Sequence, residues 1–238
     1  MNFIADMHCH TVASGHAYST IEEYARAAKD KGIELIAVTD HGIEMPGAPH
    51  LWHFWNLRVV PEEINGVTIL KGVEANIMDL DGNIDMPNDV LERLDIIIAS
   101  FHYPCFQSGS VKENTVAAIN ALKNPFVDIL GHPDDPNFLV DIDEVVAAAK
   151  EYGKLIELNN RSSMVRIGSD LYTIEFARKA KEYNTMAVCS SDAHISFELG
   201  EFDVVKQIVD DVQLPEELIL NTSKGKILNF INNRRNRE

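Results

Sequence analysis

Six strand-like runs in this 238-residue chain each stop at a histidine or a carboxylate. Ile4-Ala5-Asp6-Met7 leads into His8-Cys9-His10, Leu35-Ile36-Ala37-Val38-Thr39 into Asp40-His41, and Ile69-Leu70-Lys71-Gly72-Val73 into Glu74. Ile96-Ile97-Ile98-Ala99-Ser100-Phe101 closes at His102, Val127-Asp128-Ile129-Leu130-Gly131 at His132, and Ala187-Val188-Cys189-Ser190-Ser191 at Asp192-Ala193-His194. Eight of the nine histidines precede residue 133. Parallel strands point one way, so their ends share one rim, where barrel active sites are built. The pattern predicts a polynuclear metal site at a single mouth.

Amphipathic helical stretches separate these runs. They are expected over 20–31, 113–122, 143–152, 171–183 and 224–233. Ser19-Thr20-Ile21-Glu22 reads as a capping box for the first, and Gly32 and Gly153 stop the first and third. A further strand candidate, Leu155-Ile156-Glu157-Leu158, ends in Asn159-Asn160 without a ligand-type residue. Strands alternating with helices imply right-handed βαβ units and a parallel sheet. The expected architecture is a distorted, TIM-barrel-like (β/α)7 barrel, with residues 1–238 as a single domain. An open doubly wound sheet is the alternative, but it gathers ligands at one switch point rather than at many strands. Asp79-Leu80-Asp81-Gly82-Asn83-Ile84-Asp85 reads as a hairpin turn, since a calcium loop would require a Glu at its twelfth position. The basic tail Arg234-Arg235-Asn236-Arg237 reads as a solvated helix end.

The apolar content, 45%, is enough for a sizeable core. No apolar stretch approaches the roughly 20 residues of a membrane span, and the first residues lack the features of a signal peptide. Cys9, Cys105 and Cys189 form no C-x-x-C pair, which fits reduced thiols and a cytoplasmic location. A formal net charge of −16 argues against a long nucleic acid as partner, because such binding rests on basic residues neutralising phosphates. Three divalent ions held by neutral histidines and two carboxylates would leave about +4 in one pocket, which suits a small phosphorylated metabolite.

In His8-Cys9-His10, alternation along a strand sends both imidazoles to one side and the thiol to the other. Asp192-Ala193-His194 repeats this geometry with a carboxylate. Imidazole with carboxylate suits Zn²⁺, and also Mn²⁺ or Fe²⁺. Glu74 is placed to bridge two ions. Asp40 is expected to face away from His41 and to orient a neighbouring ligand. His50 and His53, in an aromatic-rich stretch, either line the mouth or belong to a flap packed on the barrel. Cys105 reads equally well as an inert small hydrophobe.

These motifs together, with Gly131-His132-Pro133 and the elements around His16 and His50-Leu51-Trp52-His53, resemble the PHP (polymerase and histidinol phosphatase) superfamily over essentially the whole chain. They are most similar to its stand-alone YcdX-type bacterial phosphatases. The resemblance implies a distorted (β/α)7 barrel with three metal ions, usually zinc. It implies that His8, His10, Glu74 and Asp192 hold the first ion and that Glu74 bridges to a second held by His102 and His132. His16, His41 and His194 would hold the third. A homo-oligomer is the implied assembly.

The expected activity is hydrolysis of small phosphomonoesters by a hydroxide bridging two metals, with Glu74, Asp192 and His194 as catalytic residues. Arg161 and Arg166 either supply a fork to the phosphate or are solvated surface arginines. Competing readings are an amidohydrolase, a metal-dependent phosphodiesterase or exonuclease, and a non-catalytic metal-binding module. A histidine closing the fourth run and no eighth unit weigh against the amidohydrolase, the charge balance against the exonuclease, and the complete ligand set against the module.

Overall fold

Apolar residues alternating at period two build a nearly closed ring of seven parallel strands. In ring order these are β1 (Ala5–Cys9), β2 (Leu35–Val38), β4 (Val67–Asn76), β5 (Ile96–Ser100), β6 (Ile129–Leu130), β7 (Leu155–Asn159) and β8 (Ala187–Ser190). A two-residue strand, β3 (Glu63–Ile64), adds antiparallel to the start of β4. The structure, a computed structural model, describes residues 1–235, with side chains through Asn233. The basic tail therefore lies outside the described residues, apart from the backbone of Arg234 and Arg235.

Five helices cover the barrel's outside: α1 (Ile21–Lys31), α4 (Val111–Lys123), α5 (Ile142–Tyr152), α7 (Asp170–Tyr183) and α8 (Asp203–Val212). Short helices α2 (Leu51–Asn56), α3 (Asn88–Leu91) and α6 (Ser162–Val165) lie in connections. The last, α9 (Lys224–Arg235), sends Ile227 and Ile231 into the same apolar cluster as the inward residues of the strands. Helix α8 adds to the set expected from sequence. The capping box of α1 is one residue later than the sequence reading placed it. Thr20 accepts from Glu23 N, three residues on as the motif requires, and the Glu23 carboxylate accepts from Thr20 N. Ser19 is buried instead, accepting from Ser196 N. The hairpin at 79–85 is present: Ile77 bridges Ile84, and Asp79 accepts from Asp81 N and Asn83 N around Gly82, whose φ is +75°.

Alternation fills the barrel in two layers. Ala5, Met7, Leu35, Ala37, Leu70, Ile96, Ile98, Ile129, Leu155 and Val188 form the interior below the mouth. Ile36, Val38, Val73, Ile97, Leu130, Ile156 and Cys189 face the helices. Strand β1 breaks this rhythm. Asp6 pairs with Ile36 and Cys9 with Val38, three steps on one strand against two on its neighbour. The extra residue is a β-bulge, which re-aims the side chains beyond it. Ala5 and Met7 point inward before it; after it Cys9 points outward, its thiol donating to Ala37 O. His8 and His10 are thereby turned into the mouth.

The ring does not close by a strand ladder between β8 and β1. One bridge joins Cys9 and Ala193, with His10 N donating to Ala193 O at 2.9 Å. Below it, the buried Asn221 side chain spans the gap, donating to Ala5 O at 3.0 Å and Cys189 O at 2.9 Å and accepting from Cys189 N at 3.1 Å. Above it, the Tyr24 hydroxyl of α1 lies 2.9 Å from both His10 O and Ala193 O. Replacing Asn221 with leucine strands these buried backbone groups. The expected cost is about 3 kcal/mol, roughly 6–12 °C in Tm, read by thermal unfolding against wild type.

Candidate metal centre

The upper ends of the strands carry nine ligand-type side chains to one place. Glu74, at the inward face of β4, is their hub. Its Oε1 lies 2.8 Å from His132 Nε2 and 3.4 Å from His102 Nε2. Its Oε2 lies 2.8 Å from His41 Nδ1 and 3.4 Å from both His8 Nε2 and His10 Nε2. His8 and His10 bring their Nε2 atoms within 3.0 Å of one another, as the H-x-H spacing predicts. Asp192 Oδ1 approaches His10 Nε2 at 3.3 Å and His8 Nε2 at 3.7 Å. On the other side, His16 Nε2 is 3.2 Å from His41 Nε2, and the His16 ring lies 4.9 Å from that of His194.

Two of the nine sit on unusual backbone. His132 has φ +25° and Asp192 φ +53°, a region that non-glycine residues seldom occupy and that clusters at functional sites. Both come just after strand ends, and at His132, two residues beyond the outward Leu130, the left-handed backbone turns into the mouth a side chain that regular alternation would send towards the helices. Before His132 the strand must pass close to β5: a Cβ on Gly131 would lie 2.1 Å from Ser100 Oγ.

Partners behind the imidazoles fix their tautomers. Glu157 Oε1 takes His8 Nδ1 at 2.7 Å, Asn76 Oδ1 takes His102 Nδ1 at 2.7 Å, and the Asp192 carbonyl takes His194 Nδ1 at 2.9 Å. Ser14 Oγ, which donates to Asp40 at 2.6 Å, lies 3.3 Å from His10 Nδ1. Each acceptor places the proton on Nδ1 and leaves a lone pair on the inward Nε2. Carboxylates anchor these partners in turn. Asp85 accepts from both Asn76 N and Asn76 Nδ2, and Asp40 accepts from Thr11, Ser14 and His53. Asp40 thus takes the supporting position expected for it.

Glu157 escaped the sequence reading, as did Asn159. Glu157 also accepts from His132 N at 2.6 Å. Asn159 donates to Glu157 Oε2 and Asp192 Oδ2 while accepting from Arg161 N and Ser162 N, so one buried amide ties the cluster to the next loop. A glutamate inside an otherwise apolar strand was the available signal, because an inward buried charge needs a partner.

Burial keeps most of the imidazoles neutral. It lowers His10, His16 and His194, with neighbouring His41 adding to the effect, and brings His102 to about 4 against the pull of Glu74. His8 goes the other way: burial is outweighed by Glu157, Glu74 and Asp192, which hold it well above the usual value. Glu74 and Asp192 stay well below the usual carboxylate range, because the surrounding imidazoles overcome burial. For Asp40, burial is outweighed by hydrogen bonds from His53 and Ser14, leaving it at about 2.

This donor set fits divalent cations. His41 Nδ1 and Glu74 Oε2 meet at 2.8 Å without hydrogen-bonding geometry, and His132 Nδ1 has no hydrogen-bond partner among the described residues; buried polar atoms left so are costly unless something else satisfies them. Three donor triads, His8-His10-Glu74, His41-Glu74-His102 and His10-His41-His194, each have ligand atoms within 4.8 Å of one another. They overlap through His10, His41 and Glu74 rather than dividing into separate sets.

A cavity of about 290 Å³ opens onto the cluster, its wall completed by Met45, Arg161, Val165 and Arg166. Arg161 pairs with Glu198, which also accepts from His194 N. Arg166 donates to Ser162 Oγ and lies 3.6 Å from Asp192 and 3.7 Å from Asp135. His53 and His50 stay outside: His53 backs Asp40, and His50 caps α2 by accepting from Trp52 N. A larger groove of about 1000 Å³ beside α2, lined by Trp52, Trp55 and Val60, contains none of the nine residues.

The sequence profile of the PHP domain matches residues 6–161, more than half of the chain. The chain belongs to the PHP family. It is 53% identical over 237 residues to a probable phosphatase of Acetivibrio thermocellus, covering 100% of this chain and 98% of the relative. It is also 53% identical to a probable phosphatase of Caldanaerobacter subterraneus, covering 100% and 94%. Among solved structures, histidinol phosphate phosphatase of Lactococcus lactis, complexed with zinc, L-histidinol and phosphate, superposes with a TM-score of 0.65 at 16% identity. That superposition covers 89% of this chain and 94% of the neighbour, and it shares the fold. Among the described residues of this PHP chain, no helix is long and apolar enough to cross a membrane.

The supporting network makes two outcomes measurable. Glu157→Gln is expected to weaken metal binding by about 10–100-fold, measured by competition with a chromophoric chelator. Asp40 titrates lower in the folded chain than its ordinary 3.8, so it stabilises the fold above that pH and the contribution fades as pH falls towards 2. In chelator-treated protein, Asp40→Asn should cost about 2 kcal/mol at pH 6, a gap that narrows below about pH 4 in acid-unfolding curves.

Proposed function

We propose that this PHP-family chain is a metal-dependent phosphatase acting as one domain over residues 1–238, and that it hydrolyses small phosphomonoesters at a centre of three divalent ions. The observation that carries the reading is the convergence of nine imidazole and carboxylate side chains, seven of them lining one small cavity and His8 and His10 packed behind it, with two arginines in the cavity wall. The names of the 53%-identical relatives support the phosphatase activity. The zinc, alcohol and phosphate in the Lactococcus lactis neighbour support the kind of metal and substrate. Zn²⁺ is the leading ion, with Mn²⁺ or Fe²⁺ compatible with the same donors.

His8, His10, Glu74 and Asp192 would hold the first ion, Glu74 with His102 and His132 the second, and His16, His41 and His194 the third. When bound, such ions supply Lewis acidity towards phosphate oxygens and water ionised near neutral pH. The chain's own residues do the rest. Glu74 and Asp192 remain ionised and offset the positive charge. The partners on Nδ1 hold His10, His102 and His194 with their Nε2 lone pairs inward, while His8, kept protonated by its carboxylate neighbours, would give up its Nε2 proton in favour of an ion in a ring position already fixed by Glu157. Arg166 leans on Ser162, Asp135 and Asp192 and turns its guanidinium to the phosphate, where a planar fork matches two oxygens. Arg161, fixed by Glu198, orients the ester from the same wall. Glu74, Asp192 and His194 border the position of the reacting phosphorus.

Purified protein is expected to release nitrophenol from p-nitrophenyl phosphate, to lose this activity to a chelator, and to regain it with Zn²⁺ or Mn²⁺. His41→Ala and His194→Ala should each lower kcat/KM by about 100-fold or more while circular dichroism stays that of the wild type. Arg166→Ala should act mainly on KM. Chelator-insensitive hydrolysis, or full activity in both histidine variants, would overturn the three-ion proposal.

A further inference from the structure

Two histidines lie outside the cluster, His50 and His53. His50 has a local task, the cap of α2. His53 has none. Packing of α2 on the barrel is carried by Phe54 and Leu57, both buried in the core. His53 lines the wide groove beside α2 and keeps 26% of its side chain exposed, yet it sends Nε2 inward to Asp40 Oδ2 at 3.2 Å.

That contact completes a shell. A carboxylate offers about four acceptor positions, two on each oxygen. Asp40, itself buried, fills them with four donors. Thr11 N at 2.7 Å and Ser14 Oγ at 2.6 Å meet Oδ1, while Thr11 Oγ1 at 2.8 Å and His53 meet Oδ2. Three of these donors belong to the turn that follows β1. His53 is the fourth and stands on a different element, so it ties the plane of the carboxylate to α2 as well as to that turn.

The effect passes through one hydroxyl. Ser14 Oγ gives its single proton to Asp40, so towards its other neighbours it can only accept. It takes His41 N at 3.1 Å and faces His10 Nδ1 at 3.3 Å. His10 then carries its proton on Nδ1, which leaves the Nε2 lone pair for an ion. Were the carboxylate to turn, the Ser14 hydroxyl could donate to His10 Nδ1 instead. The ring proton would then sit on Nε2 and close that ligand position. The same hydroxyl holds the backbone of His41, so one serine joins groups proposed for the first and third ions.

The geometry points to His53 as a positioning residue that acts from α2, through Asp40 and Ser14, to hold His10 in the tautomer able to bind a metal. It does not line the small cavity and touches no reacting atom. The assignment rests on the metal-dependent reading above.

The test reads the tautomer directly. Protein labelled with nitrogen-15 at histidine and stripped of metal is followed by long-range proton–nitrogen NMR, which separates Nδ1–H from Nε2–H rings. Wild type and His53→Gln, whose amide N–H can reach the same oxygen, are expected to keep His10 in the Nδ1–H form. His53→Leu has similar bulk and no donor. It should populate the Nε2–H form, and its Zn²⁺ affinity, measured against a chromophoric chelator, should fall by about tenfold. His53→Ala, at a half-buried helical position suited to alanine, repeats both measurements should the leucine variant not fold. His50→Ala removes the cap of α2 but no member of the chain, and should match wild type in both. An Nδ1–H ring in the variants lacking a donor would overturn the role of His53, as would an equal loss of affinity in His53→Gln or His50→Ala. Either result leaves the metal-dependent phosphatase intact. Failure of the wild-type protein to bind Zn²⁺ would overturn both.

Discussion

A carboxylate buried among imidazoles is the constraint around which this chain is built. Glu74 is almost wholly withdrawn from water, and each of its oxygens faces a different group of rings. An ionised acid in such a place is tolerable only with close positive or hydrogen-bonding partners. Those partners come from strands that lie far apart in sequence, so the barrel must bring β1, β2, β5 and β6 to the same height around β4. The bulge in β1 and the left-handed backbone at His132 and Asp192 are local departures from ideal geometry that satisfy this demand.

Behind the cluster stands an outer set of acids. Asp40, Asp85 and Glu157 each reach a ring nitrogen directly or through one amide or hydroxyl. Their role is orientation: they decide which nitrogen carries a proton and which offers a lone pair. Asn159 extends the same network to the loop that carries the arginines, so the arginine wall and the floor of imidazoles and carboxylates share one hydrogen-bonded frame. Preorganisation of this kind lets a site stabilise developing charge without reshaping itself first.

Much of this was legible in the order of residues. The strand-terminal histidines and acids, the alternating helices and the H-x-H spacing identify a parallel barrel with a common mouth, and the structure brings those side chains together. What stayed hidden has a physical reason in each case. The bulge in β1 leaves no compositional mark, because Met7 and His8 read as ordinary alternation until paired with β2. Glu157 and Asn159 act through partners more than a hundred residues away or in the next loop, and no local spacing reports them. Asp85 looked like part of a surface turn, yet the hairpin carries it back under Asn76. The capping box shifted by one because Ser19 and Thr20 are chemically interchangeable at a helix start, and only burial of Ser19 distinguishes them.

The seam between β8 and β1 has a consequence for how the chain behaves before it is finished. Among the described residues, the facing backbone groups are met by the Asn221 side chain, the Tyr24 hydroxyl, the Cys9–Ala193 and Ala187–Ile219 bridges and Asp6, which accepts from Ser191 N, rather than by a ladder. Until the segment at Asn221 arrives, two apolar strands present open hydrogen-bonding edges, the geometry that recruits other chains. The last stretch of sequence, remote from any chemistry, thus serves as the clasp that keeps a nascent barrel from pairing with its neighbours.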